Sequence, residues 1–299
     1  MRDSVHSPAT TAEASRPALY LALTKPDVSF LVVLTTVAGY ALGTRGPLDW
    51  LRMAYTVFGT TLIAAGTSAL NHYFERDTDA LMRRTASRPL PSRQLSPREA
   101  FWFGISLLGF GTLYLALATN ALATLLGIST SVLYLCAYTP LKRRTTLATL
   151  VGAFPGAVPP LIGWAAARGT LNIDAWFLYA VLFLWQFPHF DAIAWVYRED
   201  YKRAGIRMLP TVDPEGTRTF REILTTALLL VPVSLLPAVT GLAGARYFFG
   251  AVVLGIILVE VCLWAAASKT NSRAKWLMHA TVMHLPLLLG LLIYDKFTR

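Results

Sequence analysis

The sequence predicts an all-α, polytopic membrane protein, a bundle of nine transmembrane helices around a central cavity that opens to the cytoplasmic side. Of the 299 residues, 55% are hydrophobic and only 15% are charged, whereas about a quarter of the residues of an ordinary soluble domain are charged. The apolar residues also fall into stretches near the roughly 20 residues that span a bilayer. These observations exclude an ordinary soluble protein.

Nine apolar stretches satisfy this length requirement or come close to it. The predicted spans are Asp27–Leu42, Met53–Asn71, Phe101–Ala118, Ala121–Tyr138, Leu147–Ala167, Ala175–Val196, Ile223–Leu242, Tyr247–Ala267 and Trp276–Tyr294. Residues 1–17 are polar and lack the apolar core of a secretory signal. They are expected to form a cytoplasmic tail, and residues 18–299 a single transmembrane domain.

Lysine and arginine are concentrated in alternate connections, which marks the cytoplasmic side of a membrane protein. With a cytoplasmic N-terminus, 21 of the 27 basic residues lie inside, and the six outside are Arg45, Arg52, Arg168, Arg246, Lys296 and Arg299. The C-terminus is then outside, and two long charged loops, at about 74–98 and 197–221, face the cytoplasm as the expected catalytic loops. The basic residues are spread over five segments between spans, so no nucleic-acid site is predicted.

Oxygen-bearing side chains recur at four-residue steps where the second span ends. Asn71, Glu75 and Asp79 would share one helix face. Mg²⁺ binds through one or two carboxylates together with substrate phosphates, and basic side chains can bind the phosphate oxygens. The basic candidates are Arg76, Arg84, Arg88, Lys142 and Arg143. The simpler interpretation is that these acids and bases only pair with each other or solvate the surface.

Three polar residues of the sixth span, Gln186, His189 and Asp191, lie at membrane depth. Polar residues inside a membrane seldom face lipid, so we expect all three to face the interior of the bundle. A lone histidine such as His189 is more often a hydrogen-bonded core residue than a ligand, and the same holds for His279.

The fifth span is dense in proline and glycine. Pro155, Pro159 and Pro160 stand close to Gly152 and Gly156. This composition predicts a kinked helix that packs closely through small residues, with a structural role.

Taken together, these motifs resemble the UbiA-type intramembrane prenyltransferases, and within them the branch that modifies heme. The family's asparagine followed by two acids at four-residue steps matches Asn71, Glu75 and Asp79, with glutamate in the middle as in that branch. Further similar segments are Leu23–Pro26, Met82–Pro91, Tyr138–Arg143, Gly152–Trp164, Trp185–Phe190, Asp200–Gly205 and Ala274–His279. The second acidic motif departs from the usual two aspartates four apart, because Glu199 and Asp200 are adjacent and Asp191 lies further back.

The resemblance implies transfer of a farnesyl group from farnesyl diphosphate to a vinyl group of heme b, with water added, giving heme O and diphosphate. It implies Mg²⁺ at Glu75, Asp79 and Asp200, with Asn71 in the catalytic set. The implied diphosphate ligands are Arg76, Arg84, Arg88, Lys142, Arg143 and Lys202, and the implied heme-positioning residues are His189 and His279. The expected setting is a bacterial plasma membrane, because no transit-peptide pattern is present, with heme A synthase or terminal oxidase assembly as partners.

Three other functions fit parts of the pattern. A prenyltransferase for a quinone or chlorophyll precursor would share the acidic stripe, but the heme-branch residues from Arg84 to Pro91 and His189 argue against it. A transporter would place its charges near the middle of the membrane, whereas this stripe lies at one face. A heme-binding assembly factor without enzymatic activity would tolerate Glu75→Gln.

Overall fold

The computed structural model describes residues 15–299, and the regular secondary structure of this part of the chain is all helical. The longest connection between its helices is residues 80–96. The helices are α1 Arg16–Leu23, α2 Pro26–Gly43, α3 Trp50–Asp79, α4 Pro97–Ala118, α5 Ala121–Val132, a π-helix Leu133–Tyr138, α6 Thr139–Leu141, α7 Ala148–Gly156, α8 Pro159–Arg168, α9 Ile173–Val196, α10 Arg198–Arg203, α11 Leu209–Val212, α12 Thr217–Val239, α13 Ala245–Ser268 and α14 Asn271–Phe297.

Nine helical stretches of residues 15–299 are long and apolar enough to cross a membrane, which confirms the predicted number of spans. Two are composite: Ala121–Leu141 contains the π-helix, and Ala148–Arg168 joins α7 to α8. The chain is therefore a multi-pass membrane protein. Most of the expected N-terminal tail, residues 1–14, lies outside the described residues, and α1 begins at Arg16.

Helix α3 is longer than the predicted second span. It has 30 residues, or about 45 Å at 1.5 Å per residue, against a hydrocarbon core of about 30 Å. Its C-terminal part is stabilised by apolar packing, because Ala69 and the partly buried Tyr73 belong to a cluster with Leu19, Leu23 and Leu90. Glu75 and Asp79 therefore stand on a helix rather than in the loop expected from residue 74.

The fifth span is broken as its prolines predict. Helix α7 ends at Gly156, and α8 restarts at Pro159. Below the break, α8 lies against α2 at backbone distance, because a Cβ on Gly163 would overlap the carbonyl of Thr36 and one on Gly39 would overlap that of Pro160. The prediction of close packing through small residues is confirmed.

Lys296 caps the C-terminal end of α2. Its ammonium donates hydrogen bonds to the carbonyls of Ala41, Leu42 and Thr44 at 2.8–3.0 Å. Lys296→Met would leave these helix-end carbonyls without that donor, so we expect a loss of about 2 kcal/mol in unfolding free energy, seen as a lower Tm in detergent. Lys275→Met, at an exposed position of the same helix, is the matched control, and an equal Tm for both variants would contradict this role.

Candidate functional site

Each of the three side chains of the predicted stripe on α3 contacts one lysine or arginine side chain. The contacts link three parts of the chain: the segment before α2, the loop after α3, and the segment after α6. The three pairs are Lys25 Nζ with Asn71 Oδ1 at 2.6 Å, Lys142 Nζ with Glu75 Oε1 at 2.8 Å, and Arg88 NH1 with Asp79 Oδ2 at 2.8 Å. The fold thus assembles alternating acceptors and cations at one end of the bundle.

The second carboxylate oxygen of Asp79 is the feature that suits a metal ion. Asp79 is only 1% exposed, and its Oδ1 has no hydrogen-bond partner, although buried polar atoms are nearly always paired. The described residues contain no group of three Asp, Glu, His or Cys side chains that could hold a metal by themselves. A magnesium ion here would take the free oxygen of Asp79, Glu75 on the same face, and phosphate oxygens.

Lys25 is a site residue that the sequence did not single out. Burial, together with the nearby cations Arg88 and Lys142, lowers the pKa of Lys25 to about 7, although Glu75 and Asp79 oppose this shift. For Lys142, burial also lowers the pKa, but the adjacent Glu75 outweighs it and holds the pKa well above the usual value. The crowded cations would be stabilised by a bound anion.

The remaining predicted diphosphate ligands are placed differently from one another. Arg84 lies 4.7 Å above the ring of Tyr197 and donates to the Tyr201 hydroxyl at 3.4 Å. Arg76 covers the ring of Tyr73 and donates to its carbonyl at 2.7 Å, so its guanidinium is held by its own helix. Arg143 and Lys202 are exposed. The structure brings only Arg88 and Lys142 of this predicted set into direct contact with the stripe.

Asp200 fixes the loop that follows α3. Its carboxylate accepts hydrogen bonds from the backbone N–H groups of Arg83 and Arg84 at 3.3 and 3.2 Å and from Arg203 at 3.0 Å. Burial alone would raise the pKa of Asp200, but these donors outweigh it and lower the pKa. In this arrangement Asp200 positions the loop that carries Arg84 and Arg88.

Asp200→Asn should loosen this loop, because an amide accepts fewer hydrogen bonds than a carboxylate. We expect faster tryptic cleavage after Arg83 and Arg84, whereas Glu199→Gln, at a side chain that is 75% exposed, should change nothing. Folding lowers the pKa of Asp200. The contribution of its carboxylate to folding stability is therefore fully present above the ordinary aspartate pKa of about 3.9, and it is lost as pH falls through the lowered value. Equal cleavage rates in both variants would argue against the positioning role.

The two predicted heme-positioning histidines lie in different surroundings. His189 stacks on Trp185 at 4.7 Å, and its Nδ1 lies 2.9 Å from Thr281 Oγ1. His279 is exposed, with Nδ1 2.7 Å from the carbonyl of Lys275. Neither ring lines the cavity beneath the stripe, and His189 has the contacts of a hydrogen-bonded interior residue. Gln186, His189 and Asp191 are all buried, which confirms that they face the interior.

An apolar cavity of about 250 Å³ lies between the helices, with Lys25 at the end nearest the stripe. Its wall includes Tyr134 and Tyr138 of the π-helix, and short π-helical segments within α-helices often occur at functional sites. Gln186 lines it too and donates to the carbonyl of Ala153 at 3.0 Å. The arrangement suits an amphiphilic ligand with an anionic head at the stripe and an apolar tail in the cavity.

Known proteins resemble this chain over nearly its whole length. Residues 32–287 match the model of the UbiA prenyltransferase family. A protoheme IX farnesyltransferase of Solibacter usitatus is 46% identical over 286 residues, 93% of this chain and 98% of that protein. The protein of the same name from Koribacter versatilis is 43% identical, covering 93% of each chain.

Two solved structures share the fold. One, from a study of digeranylgeranylglyceryl phosphate synthase, superimposes with a TM-score of 0.78 at 18% identity, covering 95% of this chain and 99% of that one. The other is a UbiA homologue from Archaeoglobus fulgidus bound to DMAPP and Mg²⁺, with a TM-score of 0.68 at 16% identity, covering 94% and 99%.

Proposed function

The chain belongs to the UbiA prenyltransferase family, and we propose that it transfers a farnesyl group from farnesyl diphosphate to a vinyl group of heme b. Water adds in the same reaction, and the products are heme O and diphosphate. The observation that carries the proposal is the unpartnered, buried oxygen of Asp79, set among cations above an apolar cavity. The choice of acceptor rests on the relatives named protoheme IX farnesyltransferase.

The polar end of the site would stabilise the leaving group. The bond between the farnesyl C1 carbon and oxygen breaks, and its electron pair departs with the diphosphate. Lys25, Lys142 and Arg88, which contact the stripe, would stabilise that negative charge by preorganised electrostatics. Magnesium held at Glu75 and Asp79 would neutralise further charge on the same diphosphate, as the ligands of the Archaeoglobus fulgidus structure suggest.

The apolar end would control when water reacts. The vinyl π electrons form the new carbon–carbon bond to C1, and the resulting cation beside the porphyrin takes a hydroxyl from water, which loses a proton. Walls such as Val32, Ile63 and Leu182 would keep water from the allylic cation until that bond has formed. We retain His189 and His279 as proposed heme-positioning residues, with Thr281 as the group that orients the His189 ring.

The proposed setting is a bacterial plasma membrane with a cytoplasmic N-terminus. The support is the distribution of charge, since 21 of the 27 lysines and arginines lie on segments that this orientation places inside. The stripe on α3 then opens to the cytoplasm, and the C-terminus lies outside.

The test is incubation of purified protein in detergent with heme b, farnesyl diphosphate and Mg²⁺, followed by mass analysis of the heme. We expect a farnesyl-hydroxyethyl heme that disappears on chelation with EDTA and returns when Mg²⁺ is restored. Parallel reactions with quinone and chlorophyll precursors address the alternative acceptors. Unmodified heme from folded protein, with prenylation of another acceptor, would overturn the choice of heme.

A further inference from the structure

The cavity ends at the same depth along two helices. Thr60 is its deepest lining residue on α3, eleven residues from Asn71, or about 16 Å at 1.5 Å per residue. Thr35 is its deepest lining residue on α2, ten residues from Lys25, or about 15 Å. Asn71 and Lys25 are hydrogen-bonded to each other, so both depths are measured from one level of the site.

The helices pack closely on two sides below that depth. Helices α2 and α8 meet there at backbone distance through Gly39 and Gly163. On the other side, a Cβ placed on Gly127 would lie 3.0 Å from Ile63 Cδ1 and 3.6 Å from Leu115 Cδ2. We call the residues at this end of the cavity, Thr60, Ile63, Gly127 and Ile162, the cavity floor.

The depth matches one isoprenoid length. An amino-acid residue adds three backbone bonds and extends about 3.5 Å, so an isoprene unit with four chain bonds extends nearly 5 Å. On this scale two, three and four units reach about 9, 14 and 19 Å. Only the three-unit chain fills a depth of about 15 Å without meeting the floor.

We propose that the cavity floor is the chain-length determinant of this protein, which admits a farnesyl chain and excludes a chain one isoprene unit longer. The inference rests on the proposed function, because it identifies what selects among isoprenoid diphosphates at the same site. Ile63 and Ile162 form the apolar part of the floor and are 3% and 2% exposed, so shortening either side chain deepens the cavity.

Variants that open the floor provide the first test. Ile63→Ala and Ile162→Ala are given equal amounts of geranyl, farnesyl and geranylgeranyl diphosphate with heme b and Mg²⁺, and the prenylated hemes are measured by mass. The ratio of geranylgeranyl to farnesyl product should rise at least about tenfold over the unmodified protein. Ile223→Ala removes the same atoms from a buried α12 position that does not line the cavity, and its ratio should not change.

A variant that raises the floor tests the opposite direction. Ala64 lines the cavity on α3, seven residues from Asn71, or about 10 Å. Ala64→Leu should therefore admit two isoprene units but not three, and the ratio of geranyl to farnesyl product should rise at least about tenfold. This variant adds atoms instead of leaving a void, so it also covers the case in which the isoleucine variants fail to fold.

The outcomes distinguish a failure of the inferred chain-length determinant from a failure of the proposed function. Farnesylation of heme by the unmodified protein, with product ratios unchanged in all floor variants, would overturn the inference and leave the function intact. Failure of the unmodified protein to modify heme would count against the function instead. In that case, stabilisation of each protein against heat by the three diphosphates with Mg²⁺ still measures chain-length selection, and equal rankings in all variants would overturn it.

Discussion

Asp79→Asn is expected to reduce kcat/KM for heme farnesylation by about 100- to 1000-fold, the usual cost of removing one preorganised electrostatic group. The carboxylate is 1% exposed, bonded to Arg88 through one oxygen and unpartnered at the other. The amide keeps the shape of the side chain but loses its negative charge. The measurement is the initial rate of product formation at several Mg²⁺ concentrations, and we expect the Mg²⁺ requirement to rise as the rate falls.

Asp77→Asn is the matched control, because it makes the same chemical change two residues away on α3. The Asp77 side chain is 87% exposed and lies 3.7 Å from Arg76, away from the three pairs of the stripe. Its activity should stay within about twofold of the unmodified protein, as for most surface substitutions. A similar loss of activity in both variants would mean that α3 is disturbed as a whole. Full activity of the Asp79→Asn variant would show that Asp79 is not a magnesium ligand.

Lys142→Gln is expected to lower stability and substrate affinity together. The ammonium lies 2.8 Å from Glu75, and the side chains of this pair are only 14% and 15% exposed. Removing one member of a largely buried ion pair leaves an uncompensated charge and costs about 3 kcal/mol. The loss of the proposed charged contact between Lys142 and diphosphate should also raise KM for farnesyl diphosphate about 10- to 100-fold.

The double variant Glu75→Gln/Lys142→Gln separates the two effects. With neither charge present, no carboxylate is left unpaired, so the Tm should return most of the way to that of the unmodified protein. Activity should not return, because Glu75 is proposed to hold magnesium and Lys142 to hold diphosphate. Recovery of activity together with Tm would show that the pair only stabilises the fold.

The sequence allowed the spans and the acidic stripe to be predicted because both depend on local regularities. Apolar runs of nearly bilayer length identify transmembrane helices, and a four-residue spacing places side chains on one helix face whatever the rest of the fold does. The contacts that the sequence could not predict join distant segments. Asp200 meets the backbone of Arg83 across 117 residues, and His189 meets Thr281 across 92.

Lys25 illustrates a different obstacle. It stands just before Pro26 with a φ of 47°, in a left-handed conformation that few residues other than glycine adopt. This turn brings its side chain to Asn71, yet nothing in the local sequence indicates a left-handed lysine. The π-helix is likewise not indicated by the local sequence, and its wider turn sets where Tyr134 and Tyr138 meet the cavity.

The pairing of each acceptor on α3 with its own cation has a consequence for the order in which ligands bind. Magnesium alone would take the free oxygen of Asp79, but it would compete with Lys142 for Glu75 and place a second positive charge beside Arg88 on Asp79. Diphosphate alone would draw the same cations away and leave the carboxylates exposed to each other. When both ligands arrive together, the carboxylates bind the metal while the phosphates become the counter-ions of Lys142 and Arg88. Their binding should therefore be mutually reinforcing, and thermodynamic linkage requires each to tighten the other by the same factor.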